Sequence, residues 1–171
     1  TRIALAHHQD DNAETFFLHL ARGSGLRGLG GIYPVNGMYI RPLLCVGRKE
    51  IEDYLKGREM PYCIDATNME DAYMRNRIRN HVIPYFKENI NEKTVEHMNR
   101  SMDQLREIWD YMERQTESAY QICTAQNGEK ICIHAEAYHR QERLIRKMIL
   151  RKALALVAEH EKDLEQVHVE K

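Results

Sequence analysis

Ile3-Ala4-Leu5-Ala6-His7-His8-Gln9-Asp10-Asp11-Asn12-Ala13-Glu14-Thr15 is the stretch that decides the fold. Its apolar opening, Ile3 to Ala6, has the length and purity of a strand buried on both faces. Two histidines and two aspartates follow, and then Ala13, Phe16, Phe17, Leu20 and Ala21 recur at helical spacing, one face of a helix. The polar cluster therefore sits at the carboxyl end of a parallel strand and the amino end of the next helix. Open α/β sheets bind ligands there, and free helix N–H groups there favour anions. Capping accounts for part of the cluster: Asp11 can cap the helix, with Glu14 completing a box-like arrangement. It leaves His7, His8 and Asp10 unexplained. Two histidines and three carboxylates within eight residues make a poor core but suit a metal or phosphate-handling site. The two histidines are adjacent, so on a strand they point to opposite sides, which argues against a first-row metal.

Working outward, Arg22 to Gly31 carries five glycines in ten residues. Gly23 is a good helix stop, and such a loop either admits backbone close to a phosphate or base or is a plain connection. Tyr33 to Val35 and Met38 to Ile40 flank Asn36-Gly37, a strong hairpin signal. Pro42 places Arg41-Pro42-Leu43-Leu44 at a strand edge or end. Gly47 to Arg58 reads as a second helix with Ile51, Tyr54 and Leu55 inward and Arg48 paired with Glu52 on the surface. Tyr62-Cys63-Ile64 reads as extended and ends at Asp65, and Thr67 or Asn68 caps a third helix. That helix turns Met74, Ile78 and Val82 inward, puts Arg75 and Arg79 on one face, and breaks at Pro84. Two arginines one turn apart suit phosphate clamping, and equally a solvated basic face.

Lys87 to Lys93 is a polar linker candidate. Beyond it Val95, Met98, Met102, Leu105, Trp109 and Met112 form a heptad-like seam toward Tyr120, read as core. Asn127-Gly128 makes a turn and Ile131 to Ile133 a short strand. A helix from about Ala135 to Ala158 carries Arg143, Lys147 and Arg151 on one stripe, a candidate footprint for a nucleic-acid backbone or an ordinary charged surface. Asp163 with Gln166 resembles a further helix cap. The expected division is a residue 1–86 α/β part, a linker over 87–93 and a mainly helical part over 94–171.

The 171 residues carry 30% charged side chains and a net charge of −1, so any nucleic-acid contact must come from a local patch. No apolar run approaches a membrane span. Cys45, Cys63, Cys123 and Cys132 are scattered, as reduced cytoplasmic thiols are, and form no CxxC pair. The chain opens with Thr1 almost inside a strand, and we expect further strands to precede it.

His7-His8-Gln9-Asp10-Asp11-Asn12-Ala13-Glu14-Thr15 resembles the HHxDDxxET motif of the N-type PP-loop ATPases. The continuation Arg22-Gly23-Ser24-Gly25-Leu26-Arg27-Gly28-Leu29-Gly30-Gly31 is similar to the tRNA(Ile)-lysidine synthetase family within that group. So are the Arg41-Pro42-Leu43 segment and the pattern Asp65-x-x-Asn68, Arg75-Asn76-x-x-Arg79, Ile83-Pro84. The resemblance implies an α/β fold: a partial Rossmann-like parallel sheet followed by a helical tRNA-binding domain. It implies a cytoplasmic ligase using ATP and Mg²⁺. Its partners would be a tRNA(Ile) with a wobble cytidine and free lysine, with a homodimer left open. It assigns Asp11 and Glu14 as ligands for lysine, the cytidine or metal, with Mg²⁺ at Asp11, and makes Arg75 and Arg79 electrostatic stabilisers of an adenylated base. It places His7, His8, Asp10, Arg22, Gly23, Ser24, Gly25, Asn68 and Asn76 around nucleotide or substrate.

The family's Ser-Gly-Gly-x-Asp-Ser phosphate loop is nowhere in the 171 residues, so we expect this polypeptide alone neither to bind ATP tightly nor to make lysidine. Two other readings stay open: a non-catalytic tRNA-binding module, and a related PP-loop enzyme that thiolates tRNA cytidine.

Overall fold

In the computed structural model, which describes residues 1–63, 73–127 and 130–157, the chain opens with β1 (Ile3–Ala4) and α1 (Gln9–Ala21). Then come α2 (Leu26–Leu29), β2 (Val35–Asn36) and β3 (Tyr39–Ile40). β1 pairs in parallel with β3, and β2 pairs antiparallel with β3, giving the order β1-β3-β2. The strand buried on both faces is not found. Ile3, Ala4 and Ala6 are exposed and Leu5 is half-buried, and among the described residues β1 pairs along one edge alone, with β3.

The hairpin is present, but its turn is Gly37-Met38 rather than Asn36-Gly37, since Asn36 already pairs with Tyr39. Gly37 has φ +57°, which a two-residue turn with glycine first requires. Pro42 lies just past β3, where its missing N–H costs no ladder bond. Gly23 stops α1 as its position suggests: at φ +71° its N–H reaches Leu20 O (3.1 Å), while Ser24 N–H reaches His19 O (3.0 Å). The glycine-rich segment is not a plain loop, because it contains α2.

α3 (Arg48–Gly57) has Gly47 as its N-cap, and Arg48 Nε donates to Glu52 Oε1 at 2.9 Å, as the spacing predicts. Ile51 and Leu55 are half-buried, but Tyr54 is exposed. Tyr62 and Cys63 belong to no element. The extension to Ile64 and Asp65, and the cap at Thr67 or Asn68, lie outside the described residues.

The arginine helix does not break at Pro84. It runs as α4 (Met74–Arg77), a π turn (Ile78–Val82) and α5 (Ile83–Asn89). Proline cannot donate a backbone bond, and in an α-helix its ring crowds the carbonyl four residues back. The wider turn, closed by Ile83 N–H to Ile78 O, accommodates it. Ile78 and Ile83 are buried and Val82 half-buried, but Met74 is exposed.

α6 (Thr94–Cys123) is one helix of 30 residues. Two compact units divide within it, at Trp109 and Asp110. In the first unit Val95 joins Ala13, Ile78 and Ile83 in a core, with Phe17, Leu18, Val82 and Met98 packed around them. Each fully buried aliphatic side chain contributes about 1.5–3 kcal/mol. Met102 is wholly buried, and Leu105, Trp109 and Met112 are half-buried, so the apolar seam is core. The same face also buries Asn99 and Arg106, which an apolar spacing count passes over.

In the second unit β4 (Thr124–Asn127), absent from the sequence reading, pairs antiparallel with β5 (Lys130–Ile133). The single helix expected from Ala135 is two: α7 (Ala135–His139) and α8 (Arg143–Val157). The break lets Tyr138 turn back on Arg146, whose guanidinium carbon stands 5.9 Å from the ring centroid. Ala119, Tyr120 and Cys123 of α6 pack with Ile149 and Ala153 of α8. The turn residue Gly128 and the Asp163–Gln166 cap lie outside the described residues.

Candidate functional site

α1 follows β1 after Leu5 to His8, and its first two turns carry Asp10, Asp11 and Glu14. Its cap differs from the one expected. His8 is the N-cap, and Asp11, three residues on, accepts His8 N–H through Oδ2 at 3.0 Å. Glu14 takes no part in capping. It is completely buried, and its carboxylate is shared between the two arginines of the later helix. Arg75 Nε donates to Glu14 Oε2 at 2.6 Å; Arg79 donates through Nε to Oε1 at 2.5 Å and through Nη2 to Oε2 at 3.0 Å. Asp11 Oδ1 accepts the Nη2 groups of Arg75 and Arg79 at 3.2 and 3.3 Å. The Asp11 backbone carbonyl accepts a further bond from Arg75 Nη2 at 3.3 Å. Asp11, Glu14, Arg75 and Arg79 are thus one cluster, joined across more than sixty residues of chain. The Glu14 hydrogen bond, opposed by partial burial and aided by nearby carboxylates, holds Arg79 above its ordinary range.

The sequence brings these groups together by ordinary means. Ala13 and Ile78 meet in the core, so the α1 face on either side of Ala13 is pressed against the arginine helix. Arg75 and Arg79, four apart, then straddle Glu14. Next to this cluster the amino ends of α1 and α3 converge. Gln9 N–H donates to Val46 O (3.0 Å) and Gln9 Nε2 to Cys45 O (3.0 Å). Asp10 Oδ2 accepts Arg48 N–H at 2.9 Å and stands 3.7 Å from His8 Nδ1. Lys87 Nζ lies 3.7 Å from Asp10 Oδ1. These contacts consume helix N–H donors that the sequence reading left free for an anion. His7 Nδ1 and His8 Nδ1 are buried without a hydrogen-bond partner among the described residues.

Arg22, Gly23, Ser24 and Gly25 are not at this corner. They follow the far end of α1, on the order of 15 Å along the helix from Asp11. Ser24 is half-buried and the other three are exposed. The glycines of this segment serve packing. A Cβ on Gly31, at φ +70°, would overlap Asn12 Oδ1 and Met102 Sδ, and one on Gly30 would press on Arg106 Cγ. Asn76, half-buried, stands on α4 between the site's Arg75 and Arg77. Asn68 lies outside the described residues. On α8, Arg143 and Arg151 are exposed and Lys147 is half-buried.

Residues that the sequence reading missed hold the corner in place. Asn12 Nδ2 donates to Asn99 Oδ1 (2.8 Å), and Asn12 Oδ1 accepts Ile32 N–H (2.6 Å). Asn99 Nδ2 reaches Gln9 O (3.1 Å) and Val95 O (2.8 Å). Arg106 Nη1 donates to Gly30 O (2.5 Å) and Ile32 O (3.3 Å). The available signal was position, since Val95, Asn99, Met102 and Arg106 share a helical stripe.

Asp11 does not suit Mg²⁺. One of its oxygens faces two guanidiniums and the other a backbone N–H, so a divalent ion would stand against fixed positive charge. Among the described residues no three His, Cys, Asp or Glu side chains converge as a metal site. No described helix is long and apolar enough to cross a membrane.

The profile of the PP-loop domain family matches residues 1–86. The chain is 44% identical over 170 residues to the tRNA(Ile)-lysidine synthase of Caldanaerobacter subterraneus subsp. tengcongensis, covering 99% of this chain and 36% of the relative. It is 36% identical over 170 residues to that of Clostridium perfringens, with 99% and 36% covered. To that of Geobacter sulfurreducens it is 37% identical over 158 residues, with 90% and 33% covered. The chain therefore spans about a third of the length of these curated relatives.

Proposed function

The chain belongs to the PP-loop family, and from that premise we propose that it forms part of a ligase that adenylates a tRNA base and then couples lysine to it. In this reading ATP activates the C2 carbonyl of the wobble cytidine of a tRNA(Ile). The carbonyl oxygen attacks the α-phosphorus, the α–β phosphoanhydride bond breaks, and pyrophosphate leaves. The neutral ε-amine of lysine then attacks C2, the C2–O bond breaks with its electron pair going to AMP, and the nitrogen loses a proton. Negative charge builds on the phosphoryl oxygens in the first step and on AMP in the second.

Support for this reading comes chiefly from one observation. The histidine-aspartate stretch and the later arginine pair form a single cluster, within a chain 44% identical to a lysidine synthase. Arg75 and Arg79 supply fixed positive charge for the developing oxyanions. Glu14 is completely buried, whereas the Asp11 and Asp10 side chains are 14% and 23% exposed. We therefore assign Glu14 to holding the arginines. Contact with lysine or the base falls to Asp10 and to the exposed edge of Asp11, a carboxylate well suited to orienting an ammonium. His7 and His8, which lead into α1, and Asn76, next to Arg75 on α4, are placed about the nucleotide. Mg²⁺ belongs with the ATP phosphates as part of the substrate, not on Asp11. Arg22 to Gly25 are left to a separate part of the substrate. Arg143, Lys147 and Arg151 meet the tRNA backbone.

The test replaces the matching third of the Caldanaerobacter relative with residues 1–171. The chimera is assayed for pyrophosphate release and for labelled lysine entering a tRNA with a wobble cytidine. Both signals are expected, each dependent on the tRNA. Pyrophosphate release without lysine transfer would point to another nucleophile, and absence of both would end the reading.

A further inference from the structure

Many donors at the corner already have acceptors. Arg75 and Arg79 are bound to Asp11 and Glu14. Of the N–H groups at the amino end of α1, those of His8 and Gln9 go to Asp11 and Val46 O. At the amino end of α3, those of Gly47 and Arg48 go to Glu50 and Asp10. An incoming polyphosphate therefore meets an arginine pair, and part of each helix end, already supplied with acceptors.

Lys87 on α5 differs. Its Nζ stands 3.7 Å from Asp10 Oδ1, outside hydrogen-bond reach, and its side chain is 41% exposed. Asp10 does not depend on it, because the other Asp10 oxygen is held by the Arg48 backbone at 2.9 Å. A partly exposed pair of this kind adds little stability. It does keep a partly exposed cation beside Asp10. Ammonium is a compact point charge with rotatable donors on a flexible stem, well suited to phosphate oxygens.

We propose that Lys87 is a phosphate-binding residue of this corner. It leaves Asp10 for an oxyanion of the nucleotide polyphosphate, and the Arg48 N–H keeps Asp10 in place meanwhile. The proposal rests on the adenylating reading above for its ligand class. It adds that α5 contributes a lysine able to change partners, beside the fixed charge of the arginine pair.

The probe is inorganic pyrophosphate, titrated against the 171-residue chain and followed by backbone amide NMR at low and moderate ionic strength. Weak, saturable, salt-sensitive binding is expected, with shifts at His8, Gln9, Asp10 and Lys87. Lys87→Gln should weaken it about fivefold or more, the loss expected for one charge-assisted contact, while Lys87→Arg keeps most of it. Lys49→Gln, an exposed lysine on α3, serves as the charge control and should stay within about twofold, as a distant screened charge does. Lys87 is exposed, so its variants are expected to fold. Three results would overturn the proposal: Lys87→Gln within about twofold of the parent, Lys49→Gln losing as much, or no saturable binding at all. The two readings fail separately. A chimera active with an unchanged KM for ATP in Lys87→Gln removes the lysine's role and leaves adenylation standing. An inactive chimera whose parent chain binds pyrophosphate through Lys87 removes adenylation and leaves the phosphate site.

Discussion

Replacing Glu14 by Gln tests the cluster at its centre. Glu14 is 0% exposed and receives three charge-assisted bonds, at 2.6, 2.5 and 3.0 Å. Glutamine has nearly the same shape, so no cavity opens. It has one acceptor oxygen instead of two, and its NH₂ group faces a guanidinium, donor against donor. Removing one partner of a fully buried pair costs roughly 3–5 kcal/mol. Arg75 and Arg79 are 38% and 24% exposed, so water screens part of the loss. We therefore expect about 2–3 kcal/mol. For a unit of about a hundred residues, each kcal/mol moves Tm by roughly 4 °C, so the first transition should fall by about 8–12 °C. Calorimetry reads the midpoint, and urea unfolding reads ΔG with m unchanged. A double-mutant cycle with Arg79→Met should return a coupling of about 1 kcal/mol or more, as groups in direct contact give. A loss under about 0.5 kcal/mol, with no coupling, would put this carboxylate among surface pairs and refute the buried-cluster account.

Two further substitutions read other parts of the fold. Gly23 and Gly31 both have φ near +70°, but a Cβ on Gly23 meets open space, whereas one on Gly31 would overlap Asn12 and Met102. Gly23→Ala should cost about 1 kcal/mol of backbone strain, and Gly31→Ala at least about 2 kcal/mol more. Denaturant midpoints check this, and equal losses would contradict the close approach of α6 to this loop. In the second unit, hydrogen bonds from Lys152 and then from Gln121 hold the Glu117 carboxyl below its ordinary range. A depressed carboxylate adds stability above its unfolded pKa and loses it as pH falls through the folded value. Lys152→Gln should move the Glu117 midpoint, read by carboxyl ¹³C NMR, back up toward the ordinary range and flatten the acid limb of stability. An unmoved midpoint would mean that the Lys152 contact does not persist in solution.

What could be read in advance was whatever depends on spacing within one element. α1, α3 and the apolar seam of α6 follow from helical periodicity, and the hairpin follows from Asn36-Gly37 to within one residue. Most of the failures depend on a distant partner, and one on a local change of helix type. Ile3 to Ala6 reads as a buried strand because it is apolar, but burial needs neighbours that the described residues do not supply. Pro84 reads as a stop because an α-helix cannot take it, but a π turn can. Asn12, Asn99 and Arg106 look like surface residues, but each is buried because the others, or the carbonyls of Gly30 and Ile32, complete its hydrogen bonds.

The same limit governs the site. A carboxylate that binds a substrate and one that holds an arginine are identical in sequence; only the partner separates them. Arg75 and Arg79, one turn apart, repel each other, and two long cationic side chains are costly to hold in one geometry. Glu14 accepts the Nε of both, and Asp11 accepts an Nη2 of both, so the pair is held before any substrate arrives. That is the arrangement electrostatic catalysis asks for: charge fixed in advance, with no reorganisation left for the reaction step. It also spends Glu14 wholly and Asp11 in large part. In the proposed reaction the ammonium and the phosphates would meet groups whose bonds are incomplete, and at this corner these include Asp10, whose Oδ1 is 3.7 Å from Lys87 Nζ, and Lys87 itself.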